Sequence, residues 1–290
     1  MEPVAIADFC AYLHRRNYSP HTIDNYGRDL RLFFGLTDKD PCTVSGRDVV
    51  QFIEHQRQGQ RTATTINRRL HALQPFFDYL ATERHTLGSN PVKPSHFLRR
   101  GRPLPKALSP EQVRRLFAQI THPLDHALCL LMLRCGLRVS EVARLTQTDL
   151  DWEQKALRVT QGKGRKDRVV YVAADALAAL RTCQALRPAR VPDDGLFWHQ
   201  KRSQAPLSSK GIQKKLERYA KAAGIKASCH SLRHTFASNL LEEGAEVMAI
   251  KDLLGHASIQ SSERYAKLSN QRVKQVYQQA MRKVIAKTRV

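Results

Sequence analysis

His230 and Arg233 stand three residues apart in SCHSLRHTFASNLLEEG, residues 228–244, where the pattern starts a helix. Positions i and i+3 share one helix face. The unsatisfied N–H groups of a helix N-terminus attract anions. An imidazole and a guanidinium placed there can converge on one phosphate, and the guanidinium can bind two of its oxygens at once. The spacing alone decides little, because 12 His and 48 Lys+Arg among 290 residues give roughly two such pairs by chance. Three pairs end in Arg. His96/Arg99 lies in a Pro-rich stretch and His199/Arg202 in the loop-like WHQKRSQAP. Only His230/Arg233 opens an amphipathic helix, whose stripe is Leu232, Phe236 and Leu240.

Other charged and polar groups sit where elements begin, end or turn. Arg138 follows Gly136 in LRCGLRVSEVARL, near a helix end whose dipole favours a cation. Glu141 falls in the first turn of the next helix, close enough to orient Arg138. Lys163 lies between two glycines in QGKGRKDR, beside Arg165 and Lys166. That is a solvated hairpin tip or a device that delivers an ammonium to a phosphate oxygen. It is no Walker A loop, since GxxxxGK[ST] and a following helix are missing. His256 follows Gly255, which ends EVMAIKDLLG as a C′ residue, and Tyr265 lies in SIQSSERYAKL. Taken singly, each of these has an ordinary structural explanation.

The elements that must position them are mainly helical. In SPHTIDNYGRDLRLFFGL, Ser19 caps and Pro20 starts a helix with Ile23, Tyr26, Leu30, Phe33 and Phe34 at helical spacing. SGRDVVQFIEHQ is a second helix, opened by Ser45. TATTINRRLHALQPFFDYLATE is a third, with a stripe of Ile66, Leu70, Leu73, Phe77 and Leu80. Pro75 is expected to kink it, and Asn67, Arg68 and Arg69 to project off the apolar side. Residues 1–85 therefore form a small helical domain. Residues 86–107 carry Pro91, Pro94, Pro103 and Pro105 and are expected to be a basic linker.

The second domain, residues 108–270, opens on the capped helix SPEQVRRLFAQI. LDHALCLLMLRCG is a buried helix stopped by Gly136, and SEVARL starts another. KALRVT and RVVYVA alternate as two strands joined by a Gly-containing hairpin. Helices are expected near 175–186, 208–223, 231–243, 246–254 and 258–268, with a last one from about 270 to 285 after a KLSN break at Asn270. That last helix has the stripe Val273, Val276, Tyr277, Ala280, Met281, Val284 and Ile285, which must be buried somewhere.

Composition narrows the partner. A net charge of +22 spread along the chain, with 42% hydrophobic residues, describes a globular protein that binds a polyanion, nucleic acid first. The longest apolar run, Ala127–Leu133, is too short to span a bilayer, and no lipidation signal marks a membrane partner. MEPVAIADFCAYLHRRN lacks the charged and apolar regions of a signal peptide, so a cytoplasmic setting is expected. The six cysteines form no CxxC or metal-ligand spacing and are expected as reduced thiols. No metal site and no cofactor are expected.

Together, GLRVSE, QGKGRKDR, HSLRHTFAS, LLGH and the Tyr265 segment resemble the tyrosine recombinase (phage-integrase) family, most of all its Xer-like and transposon-borne members. The ordered set Arg, Lys, His-x-x-Arg, His, Tyr carries the resemblance over about residues 106–272. SPHTIDNYGRDLRLFF and TTINRRLHALQPFFDYL resemble the family's N-terminal core-binding domain. Cys135 and Ser262 stand where a small polar residue and Thr are common. The resemblance implies a mainly α fold: a SAM-like helical core-binding domain followed by a mixed α/β catalytic domain with a small antiparallel sheet, of the DNA breaking-rejoining type.

It also implies roles. Tyr265 would attack a DNA phosphodiester to form a 3′-phosphotyrosyl link. Its phenol, with a pKa near 10, needs its proton removed as it attacks, and His230 would help as base. Arg138 and Arg233 would clamp the non-bridging oxygens, His256 would hydrogen-bond one, and Lys163 would protonate the leaving 5′-oxygen. Glu141 would support Arg138. Candidate DNA contacts are Thr64, Asn67 and Arg68 in the first domain, Arg165 and Lys166 at the hairpin, and Ser209, Lys210, Gln213 and Lys214 in the second domain, with solvated helix faces as the alternative. The implied partners are duplex DNA with paired half-sites and further copies of the chain in a tetramer, or a partner recombinase, on a bacterial nucleoid. Residues 271–290 would dock on the neighbouring protomer, with the chain's own second domain as the alternative seat. A type IB topoisomerase-like nicking-closing enzyme and a non-catalytic architectural DNA-binding protein are the alternatives.

Overall fold

The computed structural model describes residues 4–99, 107–160, 167–188, 194–198, 206–255 and 266–288, with side chains in the last segment from residue 274. The chain divides into two compact units, Met1–Pro103 and Leu104–Val290.

The N-terminal unit is built from α1 (Val4–Arg15), α2 (Pro20–Thr37), α3 (Gly46–Gln58) and α4 (Ala63–Thr82). Ser19 caps α2 by accepting the Thr22 N–H at 3.1 Å, with Pro20 at the first helical position. Thr62 does the same for α4 through the Thr65 N–H at 3.3 Å. The apolar stripes meet in an aromatic core, where Phe9 packs edge-on to Phe76 at 5.4 Å and Phe33 to Phe52 at 5.1 Å. Helix α4 carries Pro75 inside it and continues to Thr82.

Two expectations for this unit are corrected. Asn67 does not project outward: it is 3% exposed, donates to the Leu98 carbonyl at 2.8 Å and accepts the Leu98 N–H at 2.9 Å. Its amide satisfies one strand-like donor–acceptor pair, which no solvated residue could do. Part of the stretch expected as a basic linker packs on this unit. Asn90 donates to the Gln74 carbonyl at 2.9 Å, Val92 is buried, and Phe97 and Leu98 pack on the aromatic core.

The C-terminal unit contains, in order, α5 (Pro110–Ala118), α6 (Pro123–Arg134), the one-turn α7 (Val139–Val142), strands β1 (Leu150–Asp151), β2 (Ala156–Val159) and β3 (Arg168–Tyr171), α8 (Ala174–Ala185), α9 (Ser209–Ala222), α10 (Cys229–Glu242), α11 (Val247–Leu254) and α12 (Ala266–Thr288). The three strands form an antiparallel sheet in the order β1-β2-β3, with Leu157 opposite Val170 and Val159 opposite Arg168. β1 adds a third strand to the two expected, since two residues carry no readable alternation. Every residue of α6 from Ala127 to Arg134 is buried, which is why its sequence shows no polar face.

The helix ends match the capping chemistry. Ser228 accepts the Ser231 N–H at 3.2 Å, so α10 starts two residues before the expected 231 and His230 sits in its first turn. Gly255 ends α11 in the left-handed region, with φ of 61°. Helix α12 runs through Asn270 without the expected break, and it takes in residues 266–268, expected to close the helix before it. Residues 256–265 lie outside the described residues.

The stripe of α12 is seated in cis. Tyr277, Ala280, Met281 and Val284 are buried against Phe236, Leu240 and Leu253, with Val276 and Ile285 partly buried; Val273 is outside the described side chains. The Tyr277 hydroxyl donates to the Arg134 carbonyl at 2.9 Å. The resemblance implied passage of this helix to a neighbour; in the single chain the apolar stripe is covered by its own unit.

Gly136 links α6 to α7 with φ of 63°, and a Cβ there would lie 2.4 Å from Phe236 Cδ1. Gly136→Ala therefore combines a left-handed backbone penalty with overpacking, a loss of about 3 kcal/mol. Denaturant titration of the full chain should show a lowered midpoint for the C-terminal unit; an unchanged midpoint contradicts this account.

Candidate active site

The site is assembled around one carboxylate. After Gly136 reverses the chain, buried Leu137 anchors the turn and Arg138 becomes the N-cap of α7. Glu141, three residues on, accepts the Arg138 N–H at 2.7 Å and closes a capping box. The side chain of Glu141 is not the plain first-turn acid expected, for the residue is only 3% exposed. Arg138 Nη1 donates to Oε1 at 2.8 Å, Arg168 donates to Oε1 and Oε2 at 2.9 Å each, and Arg233 Nη1 lies 3.8 Å from Oε2. Burial would raise the Glu141 carboxyl, but its bonds to Arg168 and Arg138 outweigh that and hold it down to about 2. Three guanidiniums share one carboxylate, which leaves the cluster with a formal excess of two positive charges.

The same three guanidiniums cap one helix end. Arg168 Nε donates to the Leu253 carbonyl at 2.9 Å, Arg233 Nη2 to Leu254 at 2.6 Å, and Arg138 Nη2 to Gly255 at 3.4 Å. These are successive carbonyls at the C-terminus of α11, which lack intrahelical donors and sit at the negative end of the dipole. Arg233 also donates to the Gly136 carbonyl, so it ties the α6–α7 turn to the end of α11. Its burial and the nearby Arg138 charge push the Arg233 guanidinium down to about 10 against the pull of Glu141, still cationic at neutral pH.

Arg138, His230 and Arg233 line one pocket of about 460 Å³ together with Val139, Ser140, Ser228, Gln213 and Glu217. His230 is exposed on the pocket's edge, its ring 4.3 Å from that of His234. Partial desolvation, then His234, Arg233 and Arg138, hold its imidazole below the ordinary value, which favours the neutral form. The pocket thus sets two guanidiniums beside an imidazole. The structure brings together four of the residues expected from sequence: Arg138, Glu141, His230 and Arg233. Lys163, Arg165, Lys166, His256 and Tyr265 lie outside the described residues.

Of the expected DNA contacts, Thr64 is exposed on α4, whereas Asn67 is buried on Leu98 as described. Arg68 is half exposed and spreads its fork over Asp29, with Nη2 to Oδ1 at 2.8 Å. On α9, Ser209 is half-buried and Lys210, Gln213 and Lys214 are exposed. Gln213 belongs to the pocket, which the sequence did not suggest.

Sequence reasoning missed Arg168, His234 and Glu217. For Arg168 a signal existed: it shares the inward face of β3 with fully buried Val170, while Val169 between them is exposed. Among the described residues no group of His, Cys, Asp and Glu is arranged to hold a metal ion, and no helix is long and apolar enough to cross a membrane.

Comparison with known proteins agrees with this geometry. Residues 106–272 match the family described as "Phage integrase family", and residues 6–84 match "Phage integrase, N-terminal SAM-like domain". The tyrosine recombinase XerA of Thermococcus kodakarensis is 31% identical over 281 residues, covering 95% of this chain and 94% of that one. The tyrosine recombinase XerC of Alcanivorax borkumensis is 36% identical over 275 residues, covering 90% and 88%. In structure, a lambda integrase dimer bound to a COC′ core site aligns with a TM-score of 0.71 at 17% identity, covering 90% of this chain and 98% of that one, a likeness of fold. The protein is an enzyme of site-specific DNA recombination and belongs to the phage integrase family of tyrosine recombinases.

Proposed function

We propose that the pocket binds the scissile phosphate of a duplex DNA site and that the chain cleaves and rejoins it through a 3′-phosphotyrosyl link. The observation that carries this is the pocket itself, lined by His230 and by two arginines that the Glu141 carboxylate holds. A phosphodiester brings one negative charge and its phosphorane two, matching the cluster's excess of two positive charges. Arg138 and Arg233 hold the non-bridging oxygens. Tyr265 attacks phosphorus, its phenolic proton passes to His230, and the bond to the 5′-oxygen breaks as Lys163 protonates it. His256 hydrogen-bonds a non-bridging oxygen. The reverse attack by a 5′-hydroxyl on the tyrosyl phosphate rejoins a strand, and exchange through a Holliday junction follows when partners swap. The phosphotyrosyl ester conserves the bond energy, so this chemistry draws on no nucleotide cofactor.

The DNA partner is supported by the net charge of +22 and by the solved lambda integrase on its core site. We assign the grip on the duplex to Thr64 and Arg68 on α4, to Arg165 and Lys166, and to Ser209, Lys210, Gln213 and Lys214 on α9. The assembly we propose is a tetramer on paired half-sites, or a mixed one with a partner recombinase, acting on nucleoid DNA in the cytoplasm.

Three outcomes test this reading on a nicked duplex whose binding site is first selected by the protein from a random-sequence pool. Tyr265→Phe loses the SDS-resistant protein–DNA adduct and keeps binding within about threefold, since one hydroxyl and no charge is removed; an adduct from this variant would show another nucleophile. Adduct without recombinant product, with relaxation of a supercoiled plasmid that carries the selected site, would point to a topoisomerase, and no wild-type adduct to an architectural protein.

Lys163→Ala slows cleavage roughly a hundredfold on a normal 5′-oxygen substrate and far less on a 5′-thio one, because a thiolate leaves without protonation. An equal loss on both assigns Lys163 to phosphate binding.

His230 must be neutral to accept the proton, and its imidazole titrates below its ordinary value. Single-turnover cleavage should therefore be flat at neutral pH and fall only at a pH below the ordinary imidazole value. His230→Gln should remove that acid limb and lower the plateau; an unchanged limb in the variant excludes His230 as the base.

A further inference from the structure

Arg168 does not line the phosphate pocket, yet each of its three guanidinium nitrogens is engaged. Nη1 and Nη2 take both oxygens of Glu141 at 2.9 Å, and Nε takes the Leu253 carbonyl at 2.9 Å. The side chain is 10% exposed and lies flat against Gly255, where a Cβ would come within 2.9 Å of its Cδ. Only a glycine there allows both the left-handed turn, with φ of 61°, and this close approach.

The consequence is geometric. Glu141 has one carboxylate and three cationic neighbours. Arg168 occupies it in the bidentate, fork-to-carboxylate mode and leaves Arg138 a single side-chain bond, to Oε1. Arg138 and Arg233 are thereby attached to the carboxylate by one edge only, and the pocket they line remains cationic. With Arg168 absent, the carboxylate would draw both arginines inward and cancel more of their charge. Arg168 also joins two elements that flank the remaining machinery in sequence: β3 follows the Lys163 hairpin, and α11 precedes His256.

We infer that Arg168 is a positioning residue of the recombination reaction: by saturating Glu141 and holding the Leu253 carbonyl, it fixes the face that Arg138 and Arg233 present to the scissile phosphate. This rests on the phosphate-clamp reading of the pocket. Arg168 acts through Glu141 and touches no reacting atom, so its loss changes the rate of cleavage and spares the affinity for DNA.

The test is single-turnover cleavage of the selected nicked duplex by the full chain, alongside gel-shift affinity and thermal unfolding by circular dichroism. Arg168→Gln should cleave about a hundredfold slower, the scale of a small misplacement in an active site, with Kd within about threefold of wild type. Arg168→Lys keeps a cation and loses the fork, and should cleave about tenfold slower. In a Glu141→Gln background the further loss from Arg168→Gln should shrink to about tenfold or less, because the carboxylate through which it chiefly acts is changed and only the Leu253 contact remains to be lost.

The inference is overturned by wild-type cleavage in Arg168→Gln, by a full hundredfold loss persisting in the Glu141→Gln background, or by affinity and unfolding temperature falling in step with rate. If Arg168→Gln does not fold, Arg168→Lys decides, and cleavage at the wild-type rate in that variant overturns the inference. Wild-type protein and Arg138→Ala are run beside them. An absent wild-type adduct, or an Arg138→Ala variant as fast as wild type, defeats the phosphate-clamp reading instead.

Discussion

The carboxylate of Glu141 is the constraint on which the site depends. Arginine side chains are long and lose much rotamer freedom when fixed, and three of them close together repel one another. A buried anion with two oxygens resolves both problems, because it offers fixed acceptors and offsets part of the charge. The arrangement still leaves an excess of positive charge, and that excess faces the pocket through Arg138 and Arg233. Under the proposed function, a preorganised cationic site of this kind would meet developing phosphorane charge without reorganising at the moment of reaction. The cost is desolvation of a carboxylate and of Arg233, and the carbonyls of Gly136, Leu253, Leu254 and Gly255 help to offset it by accepting the guanidinium hydrogens.

The backbone features around the cluster follow from that need. Two glycines with positive φ, Gly136 and Gly255, stand at the C-terminal ends of α6 and α11. Each turns the chain where a side chain would collide with a group of the site's scaffold: Phe236 for the first, Arg168 for the second. Phe236 in turn belongs to the apolar cluster that seats Tyr277, Ala280, Met281 and Val284 of α12. The Tyr277 hydroxyl reaches the carbonyl of Arg134, at the end of the helix that leads into Gly136. The position of α12 and the geometry of the Arg138 turn are thus set by overlapping contacts.

Much of this was legible in sequence, for identifiable reasons. Capping positions were legible at Ser19, Ser45 and Ser109, which precede apolar periodicity with proline or a capping partner in place, whereas the Ser228 cap was not read. The His230/Arg233 pair was separated from its two decoys by the helix it opens. What could not be read was long-range satisfaction of polar groups. Asn67 looked like an exposed helix residue until Leu98 supplied its partners from 31 positions away. Glu141 looked like a first-turn acid because its second and third cations come from β3 and α10. Arg168 was passed over because a charged residue at a strand edge is usually solvated, although its place on the face of Val170 marked it as inward. The continuity of α12 through KLSN shows the converse: a weak local stop signal yields where the helix on its far side is held by a buried stripe.

The two titratable groups at the site have opposite relations to pH, and this separates scaffold from chemistry. The Glu141 carboxyl lies at about 2 in the fold against an ordinary value of 4.5. A depressed folded-state pKa contributes stability that is fully present above the ordinary value and is lost as pH falls toward 2, here about 3 kcal/mol. Across the range in which a cell operates that contribution is constant, so the arginines keep their anchor. His230 is displaced the other way relative to its own charge: desolvation, His234 and the two pocket arginines disfavour its protonated form. Two of the cations that Glu141 gathers, Arg138 and Arg233, therefore add to desolvation and His234 in disfavouring the charged form of His230. Under the proposed function, Arg138 and Arg233 would thus serve twice, as the clamp and as a part of what disfavours the protonated form of His230, so a change that weakens their charge would weaken the clamp and let His230 protonate more readily.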